Sequence, residues 1–252
     1  DKAGYNRKEA LEPKENQEEI FGILPKSRAD QYDMNEIIKR LVDDSEFEPY
    51  KEEFGKTIIC GYARIDGWAV GIVANQRKVV KTAKKEMQFG GVIYSDSATK
   101  ATRFISNCNQ KKIPLVFLQD VTGFMVGSKS EHGGIIKDGA KMVNAVSNSV
   151  VPKFTVVIGN SYGAGNYAMC GKAYDPRLIC AWPSARLAVM GGTQAAKVLL
   201  QMETASLKSQ GEVITPEREA EILKSIEEKY DKQTSPYYAA ARLWTDGVIN
   251  PL

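Results

Sequence analysis

Histidine is nearly absent from this chain, since His132 is the only one among 252 residues. A metal site made of several histidines is therefore a narrow possibility, and so is a catalytic pair that needs a histidine base. Cysteine is sparse too, because its four copies lie far apart and form no C-x-x-C pair: Cys60, Cys108, Cys170 and Cys180. This spacing argues against a zinc site or a disulfide scaffold and favours free thiols in a reducing compartment.

Long apolar runs and an excess of one charge are also missing. No run of 18 apolar residues occurs, so the sequence predicts no transmembrane helix. The 34 basic and 31 acidic residues are interspersed and give a net charge of +3. Neither a membrane nor a nucleic acid is therefore expected as a partner. The chain starts at Asp1 without a basic-then-apolar leader, and we expect a processed chain or a piece of a longer one.

Short apolar runs alternate with helical patterns over most of the sequence. The runs 113–119 and 154–158 are apolar on both faces, which is typical of parallel strands covered by helices. We expect one α/β domain over residues 31–252, preceded by a connecting arm over residues 1–30.

Turn and capping residues delimit the other predicted elements. Asp66-Gly67 separates two β-rich runs and predicts a hairpin. Asp33 is predicted to be the N-cap of a helix, and Thr215-Pro216 predicts the start of another that continues to about residue 232. Further helices are expected at 97–111, 133–148, 194–202 and 236–246, and one more begins at about residue 165. Further strands are expected at 178–181 and 187–190.

Glycine is the informative residue, because 11 of the 21 glycines lie between Gly123 and Gly192, where strands are predicted to end. Ligands of open α/β sheets bind in the crevice at the carboxyl ends of the strands. A single glycine can simply permit a tight turn, but the clustering favours a functional crevice.

One glycine-rich segment matches two known patterns and fails the further requirements of both. Gly159-x-Ser161-x-Gly163 resembles a nucleophile elbow, which needs a histidine after the serine in chain order. The only histidine, His132, precedes Ser161. The residues 163–168 resemble a dinucleotide fingerprint, but no acidic residue follows at the required distance.

A third interpretation of this segment needs no side-chain catalyst. A strand ends, glycines allow close approach, and a helix begins at about Ala164-Gly165. Free backbone N–H groups would then point into the crevice, assisted by the helix dipole. Such an oxyanion hole can stabilise an enolate or a ureido oxygen. An ordinary tight turn between strand and helix is the alternative.

Several segments resemble a known family. The loop at 118–127, Leu-Gln-Asp-Val-Thr-Gly-Phe-Met-Val-Gly, resembles a strand-end loop of the carboxyltransferase β subunits of biotin-dependent acyl-CoA carboxylases. The segment Gly-Ala-Gly-Asn-Tyr at 163–167 resembles the 3-methylcrotonoyl-CoA carboxylase branch in particular. The resemblance continues in order through 133–141, 163–171, 181–186, 188–192 and 241–251, so it covers nearly the whole chain. It implies the C-terminal half of the subunit and a crotonase-like (ClpP/crotonase) fold, an α/β superhelix of β-β-α units.

The resemblance implies a reaction and its site residues. A carboxyl group would move from carboxybiotin, delivered by a partner carrier, to an acyl-CoA, while backbone amides stabilise the oxyanions. By position, the hole would consist of the N–H groups of Ala164 and Gly165, with Gly163 permitting the turn. The biotin pocket would be lined by Gly123, Phe124, Tyr167, Met190 and Gly191.

The residue type at Tyr167 indicates which acyl group the protein would use. Propionyl-type members of the family have Asp at this place, and an aromatic residue there resembles the 3-methylcrotonoyl-type and geranyl-type branch. We therefore expect a branched or unsaturated acyl group such as 3-methylcrotonoyl, with a propionyl-CoA or general acyl-CoA carboxylase as the alternative.

The resemblance also implies partners and a compartment. The partners would be the N-terminal half of the subunit, a biotin carboxylase or biotin carrier subunit, and further copies in a homo-oligomer. No metal is implied in this chain. The location would be the cytoplasm of a bacterium or the mitochondrial matrix of a eukaryote.

Two functions of other classes remain open: a stand-alone crotonase-type hydratase or hydrolase, and a non-catalytic scaffold subunit. We expect His132 in a loop or pocket wall and Ser161 in a turn, while Asp120 and Asp138 either tune the site or make structural hydrogen bonds. Residues expected to pack in the core are Cys170, Cys180 and Trp182.

Overall fold

An eight-stranded sheet organises the computed structural model, which describes residues 5–27, 30–211 and 215–252. In chain order the strands are β1 (Phe47–Pro49), β2 (Ile58–Ile65), β3 (Trp68–Asn75), β4 (Val80–Lys81), β5 (Met87–Gln88), β6 (Val92–Ile93), β7 (Leu115–Val121), β8 (Gly123–Phe124), β9 (Lys153–Tyr162), β10 (Leu178–Ala181), β11 (Arg186–Ala188) and β12 (Gly247–Val248). The main sheet has the order β1-β2-β3-β7-β9-β10-β12, and β11 pairs with β9. Strands β4 and β5 pair with each other, as do β6 and β8.

The helices are α1 (Ile20–Ile23), α2 (Met34–Lys39), α3 (Ser95–Gln110), α4 (Ser128–His132), α5 (Ile135–Ser147), α6 (Gly163–Ala168), α7 (Gly192–Ser209), α8 (Pro216–Thr234) and α9 (Pro236–Ala240). None of the described helices has the length and apolarity that a membrane span needs.

Parallel strands form the centre of the sheet, as the apolar runs predict. Strands β3, β7, β9, β10 and β12 run parallel, whereas β2 is antiparallel to both of its neighbours, β1 and β3. The β2–β3 hairpin is confirmed. Asp66 and Gly67 both have positive φ, 50° and 77°, which suits the two-residue turn that matches strand twist.

Helices cover both faces of β7, and its side chains divide between two cores. Leu115 and Phe117 point to one cluster with Phe104 of α3. Leu118 points to the other, with Ile38 of α2. This alternation explains why the run is apolar at nearly every position.

The predicted helix starts are confirmed where a cap determines them. The Asp33 side chain accepts a hydrogen bond from the N–H of Asn35, and the Thr215 side chain accepts one from the N–H of Arg218. In both cases the signal lies within a few residues of the helix it starts.

Some predicted element boundaries are wrong. Strand β9 does not end at residue 158 but continues to Tyr162, so Ser161 lies in a strand and not in a turn. The last helix ends at Ala240 rather than near 246, because the Asp246 side chain accepts from the N–H of Ile179 and joins this segment to the sheet. His132 ends the separate helix α4, and Gly134, with φ of 95°, divides it from α5.

The segment 5–27 lies against the body of the chain. Arg7 forms an isolated bridge with Trp68, and the Lys8 N–H donates to the Gly67 carbonyl at 3.0 Å. Ile20 is completely buried in the same core cluster as Ile38. These contacts place the segment over the β2–β3 hairpin.

Candidate functional site

The turn between β9 and α6 requires glycine at its first position. Gly163 has a φ of +51°, a conformation that costs other residues about 1–2 kcal/mol. A Cβ atom on Gly163 would also lie 2.9 Å from the carbonyl oxygen of Val189. The strand therefore passes into the helix through a residue that has a positive φ and no room for a side chain.

Gly165 lies where two predicted site segments meet. It is buried, and a Cβ atom on it would lie 2.6 Å from Cγ2 of Val121 and 3.2 Å from Cα of Gly123. The structure thus brings the start of α6 against the end of β7 and the start of β8. Only a residue without a side chain permits this approach.

Two backbone N–H groups are free at the start of α6. Ala164 and Gly165 are the second and third residues of the helix, so neither has an acceptor four residues back within it. Within the described ranges, neither N–H donates a hydrogen bond outside the helix. Ala164 is exposed, and both groups lie at the positive end of the helix.

The loop after β7 is held by short backbone hydrogen bonds. The Thr122 N–H donates to the Gly91 carbonyl at 2.7 Å, and the Met125 N–H donates to the Ile93 carbonyl at 2.9 Å. Phe124 packs so closely on α5 that a Cβ atom on Gly139 would lie 2.7 Å from its ring. A groove of about 850 Å³ continues from this loop past Met125.

Met190 and Gly191 lie on the other side of the turn. Ala188 of β11 pairs with Tyr162 of β9, which places the following residues next to Gly163. A Cβ atom on Gly191 would lie 3.7 Å from the Tyr162 ring, and the Tyr230 hydroxyl donates to the Met190 carbonyl at 2.5 Å.

Tyr167 lies on the side of α6 that faces away from Gly165. Two residues further along a helix correspond to a rotation of about 200°. The side chain is 47% exposed, and its ring contacts Tyr174 edge-on, with centroids 5.7 Å apart. A ligand that reaches both residues would therefore have to extend around the end of the helix.

A buried polar network supports α6 and is not evident from the sequence. The Ser161 hydroxyl donates to Oε1 of Gln119 at 2.6 Å, and Nδ2 of Asn166 donates to Ser161 Oγ at 2.7 Å. Nε2 of Gln119 donates to the Met169 carbonyl at 2.7 Å. The signal in the sequence was limited to polar residues at the ends of two strands that begin with apolar runs.

The acidic residues have structural partners. The Asp120 carboxylate is buried and accepts from the N–H of Asn160 at 2.9 Å. Asp138 accepts from the Ser95 hydroxyl, which together with Lys141 holds the pKa of this carboxyl below its usual range. A crotonase-type hydratase would need two acidic side chains together beside the hole. Asp120 and Asp138 are each held by other hydrogen bonds and do not form such a pair.

The buried thiols lack the features of a nucleophile. Burial raises the pKa of Cys60 to about 12 and of Cys170 to about 11, which keeps both protonated at neutral pH. Cys180 is half-buried, and all four cysteines are free.

His132 is exposed, and Trp182 is buried as predicted. In the parts of the chain that the structure describes, no three acidic, histidine or cysteine side chains are grouped as metal ligands.

Comparison with known proteins gives a consistent result. Residues 4–252 match the sequence model of the carboxyl transferase domain. A biotin-dependent 3-methylcrotonyl-coenzyme A carboxylase beta1 subunit from Mycobacterium tuberculosis is 46% identical over 99% of this chain and 44% of its own length. The beta subunit of a geranyl-CoA carboxylase from P. aeruginosa is 42% identical with a TM-score of 0.81, over 99% of this chain and 44% of that one. The transcarboxylase 12S subunit, solved as a hexamer with hydrolysed methylmalonyl-coenzyme A bound, is 34% identical with a TM-score of 0.82, over 100% of this chain and 45% of that one.

These matches confirm the α/β, crotonase-like carboxyltransferase fold that the resemblance implied. They also show that the chain spans less than half the length of each of these relatives.

Proposed function

Because this chain belongs to the carboxyl transferase domain family, we propose that it forms the biotin-facing half of the carboxyltransferase of a biotin-dependent acyl-CoA carboxylase. The observation that carries the proposal is the meeting of Gly165 with Val121 and Gly123 at the start of α6. It leaves two backbone N–H groups beside a loop that is held in place on both sides.

The residues of the turn fit an oxygen that becomes negative during a reaction. The N–H groups of Ala164 and Gly165 would donate to it, and Gly163 supplies the backbone conformation that turns them towards the crevice. Loss of one such donor typically costs about 3 kcal/mol of transition-state stabilisation. Biotin, when bound through a partner's carrier domain, would supply the carboxyl group and the urea oxygen.

Five residues would surround the biotin ring. Gly123 and Phe124 would form one wall, because their loop is fixed by its pairing with β6. Met190 and Gly191 would form the opposite wall across the turn. Tyr167 would contact the ligand from beyond the end of α6.

The acyl group would be 3-methylcrotonoyl or a similar branched, unsaturated chain. This proposal is supported by Tyr167, an uncharged aromatic side chain that is half exposed, and by the 46% identity to a 3-methylcrotonyl-coenzyme A carboxylase subunit.

The complete site requires other polypeptide segments. We infer an N-terminal half that binds most of the CoA ester, a biotin carboxylase or carrier subunit, and further copies of the subunit. Residues 1–30 would connect the two halves, and residues 31–252 would form the domain described here. The compartment would be bacterial cytoplasm or mitochondrial matrix.

The decisive experiment isolates the whole native protein, probes its partners with streptavidin and measures carboxylation of 3-methylcrotonoyl-CoA. The variant Gly165→Ala places a methyl group against Val121 and Gly123, and turnover should fall about 100-fold because the amides are displaced. Gly247→Ala is the matched control, since a Cβ atom there meets no atom within 4 Å.

Each result has a defined meaning. A biotinylated partner with activity that collapses only in Gly165→Ala supports the proposal. Full activity in both variants would make the chain a scaffold. Absence of any biotinylated partner, together with biotin-independent hydration of the acyl-CoA, would indicate a stand-alone crotonase-type enzyme.

A further inference from the structure

The ladder between β7 and β9 contains an irregularity beside the site. Gln119 pairs with Val157, whereas Val121 pairs with Ser161. One residue separates the paired positions on β7, and three separate them on β9. Strand β9 therefore bulges over residues 158–160, and a bulge of this kind bends a strand and redirects the residues that follow.

The Asp120 carboxylate fills the space that the bulge creates. Its Oδ1 atom accepts the N–H of Asn160 at 2.9 Å, which satisfies a donor within the irregular stretch. The carboxylate can lie there because Gly159 has no side chain, and a Cβ atom on Gly159 would be 2.3 Å from Oδ2 of Asp120.

Two further side chains hold the second carboxylate oxygen. The Tyr32 hydroxyl donates to Oδ2 at 2.8 Å, and Nε of Arg77 lies 3.2 Å from the same atom. Asp120 is 5% exposed and Tyr32 7%, so the contacts form in a low-dielectric interior. The carboxylate thus joins the ends of β3, β7 and β9 to the segment before α2.

The bulge lies immediately before the residues of the proposed hole. Val121, next to Asp120, is the residue that packs on Gly165. Asn160 is three residues before Gly163, and its N–H donates to the Asp120 carboxylate. Asp120 therefore lies next to Val121 on β7 and is hydrogen-bonded to Asn160 on β9, the strand that leads into α6.

We propose that Asp120 is a positioning residue, whose carboxylate fixes the β9 bulge and thereby the direction in which α6 presents the N–H groups of Ala164 and Gly165. The inference rests on the proposed function for its catalytic consequence. The structural part, that the carboxylate fixes the bulge, is independent of any activity.

Two variants perturb the contact from opposite sides. Asp120→Asn keeps the shape but replaces one acceptor oxygen by an NH2 group that would face the Arg77 guanidinium. Gly159→Ala keeps the charge but places a methyl group on the carboxylate. In the whole enzyme with its partners, each should lower kcat for 3-methylcrotonoyl-CoA about 10- to 100-fold and leave KM within about twofold.

The matched control is Asp43→Asn. Asp43 is 7% exposed and also accepts backbone N–H groups, from Asp66 at 2.8 Å and Gly67 at 2.7 Å. It lies at the hairpin turn, the opposite end of β3 from the site. Its loss should lower the thermal midpoint and leave kcat unchanged.

Hydrogen exchange measured by mass spectrometry on the whole protein gives a second readout. Amides in the peptide 158–166 should exchange at least tenfold faster in Asp120→Asn and Gly159→Ala than in wild type, and not in Asp43→Asn. A double-mutant cycle with Asp120→Ala should show that Gly159→Ala has no further effect once the carboxylate is gone.

A fall in thermal midpoint with unchanged kcat and unchanged exchange over 158–166 would overturn the proposal and leave Asp120 a general stabilising residue. Additive effects in the cycle would also overturn it. If the wild-type enzyme carboxylates no acyl-CoA, the proposed function fails, and the exchange result alone then decides whether Asp120 fixes the bulge.

Discussion

The hydroxyl group of Ser161 donates a hydrogen bond to the side-chain oxygen of Gln119 at 2.6 Å, across the boundary between β9 and β7. Ser161 is 2% exposed and also accepts from Asn166 of α6. The serine of the Gly-x-Ser-x-Gly pattern therefore connects two strands and a helix inside the protein. Its hydroxyl is not presented to solvent as a nucleophile would be.

Ser161→Ala should reduce activity without abolishing it. The variant leaves Gln119 and Asn166 without one buried partner each, which costs about 1–3 kcal/mol of stability, and kcat should fall about 10-fold. A catalytic serine would instead lose on the order of 10⁴-fold or more. Turnover of the purified variant distinguishes the two, and a serine-directed sulfonyl fluoride should fail to label the wild-type protein.

Gly163→Ala should destabilise the protein because of its backbone conformation. The φ of +51° and the 2.9 Å approach to the Val189 carbonyl predict a loss of about 1–3 kcal/mol in the free energy of unfolding. Urea denaturation of the variant measures it. Gly22→Ala, in open space within α1, should be neutral or stabilising, and equal losses in both variants would contradict the explanation.

Tyr167→Ala should change the preference between acyl groups. Loss of the ring removes apolar contact, so the ratio of kcat/KM for 3-methylcrotonoyl-CoA to that for propionyl-CoA should fall about 10-fold. Tyr174→Ala removes the same ring contact from the other side and serves as control. An equal change in both variants would mean that packing between the two rings, rather than contact with substrate, sets the preference.

Lys100→Met should change how stability depends on alkaline pH. The side chain is 2% exposed, its ammonium donates to the Lys51 carbonyl at 3.4 Å, and burial lowers its pKa below 10.5. Between the lowered pKa and 10.5 the unfolded chain binds more protons than the folded one, so stability rises with pH in this window.

In Lys100→Met that rise should disappear, and the variant should be at least as stable as wild type at neutral pH, because a buried charge has been replaced by an apolar chain of similar length. Urea denaturation from pH 7 to 10 provides the measurement. The exposed Lys84, changed to Met, should keep the wild-type slope. A slope that persists in Lys100→Met would show that another group titrates.

The elements that the sequence predicted well are those with local signals. The Asp66-Gly67 hairpin, the Asp33 cap and the Thr215-Pro216 helix start each depend on a few consecutive residues. The end of β9 was misplaced because Gly159 indicates a turn when read alone. In the structure the same glycine makes room for Asp120, which lies 39 positions earlier in the chain.

Contacts between distant residues account for the rest of what was missed. Tyr32 and Asp120 are 88 positions apart, and Gln119 and Ser161 are 42 apart, so no local pattern reveals either bond. The turn at Gly163 and Gly165 could be predicted because the glycines lie close together after an apolar run. Its functional role stays a prediction. The side chains of Asp120 and Gln119, which support this turn, could not be predicted from the sequence, because they meet β9 only when β7 and β9 pair.

The two ends of the main sheet have a consequence for how the protein behaves at high concentration. Strand β1 at one end has three residues and ends at Pro49, and strand β12 at the other end has two residues and lies three positions before Pro251. Short borders next to proline offer few unpaired groups to a strand from another molecule. Fibril-like growth by strand addition is therefore disfavoured at both borders, even though the interior of the sheet is rich in valine and isoleucine.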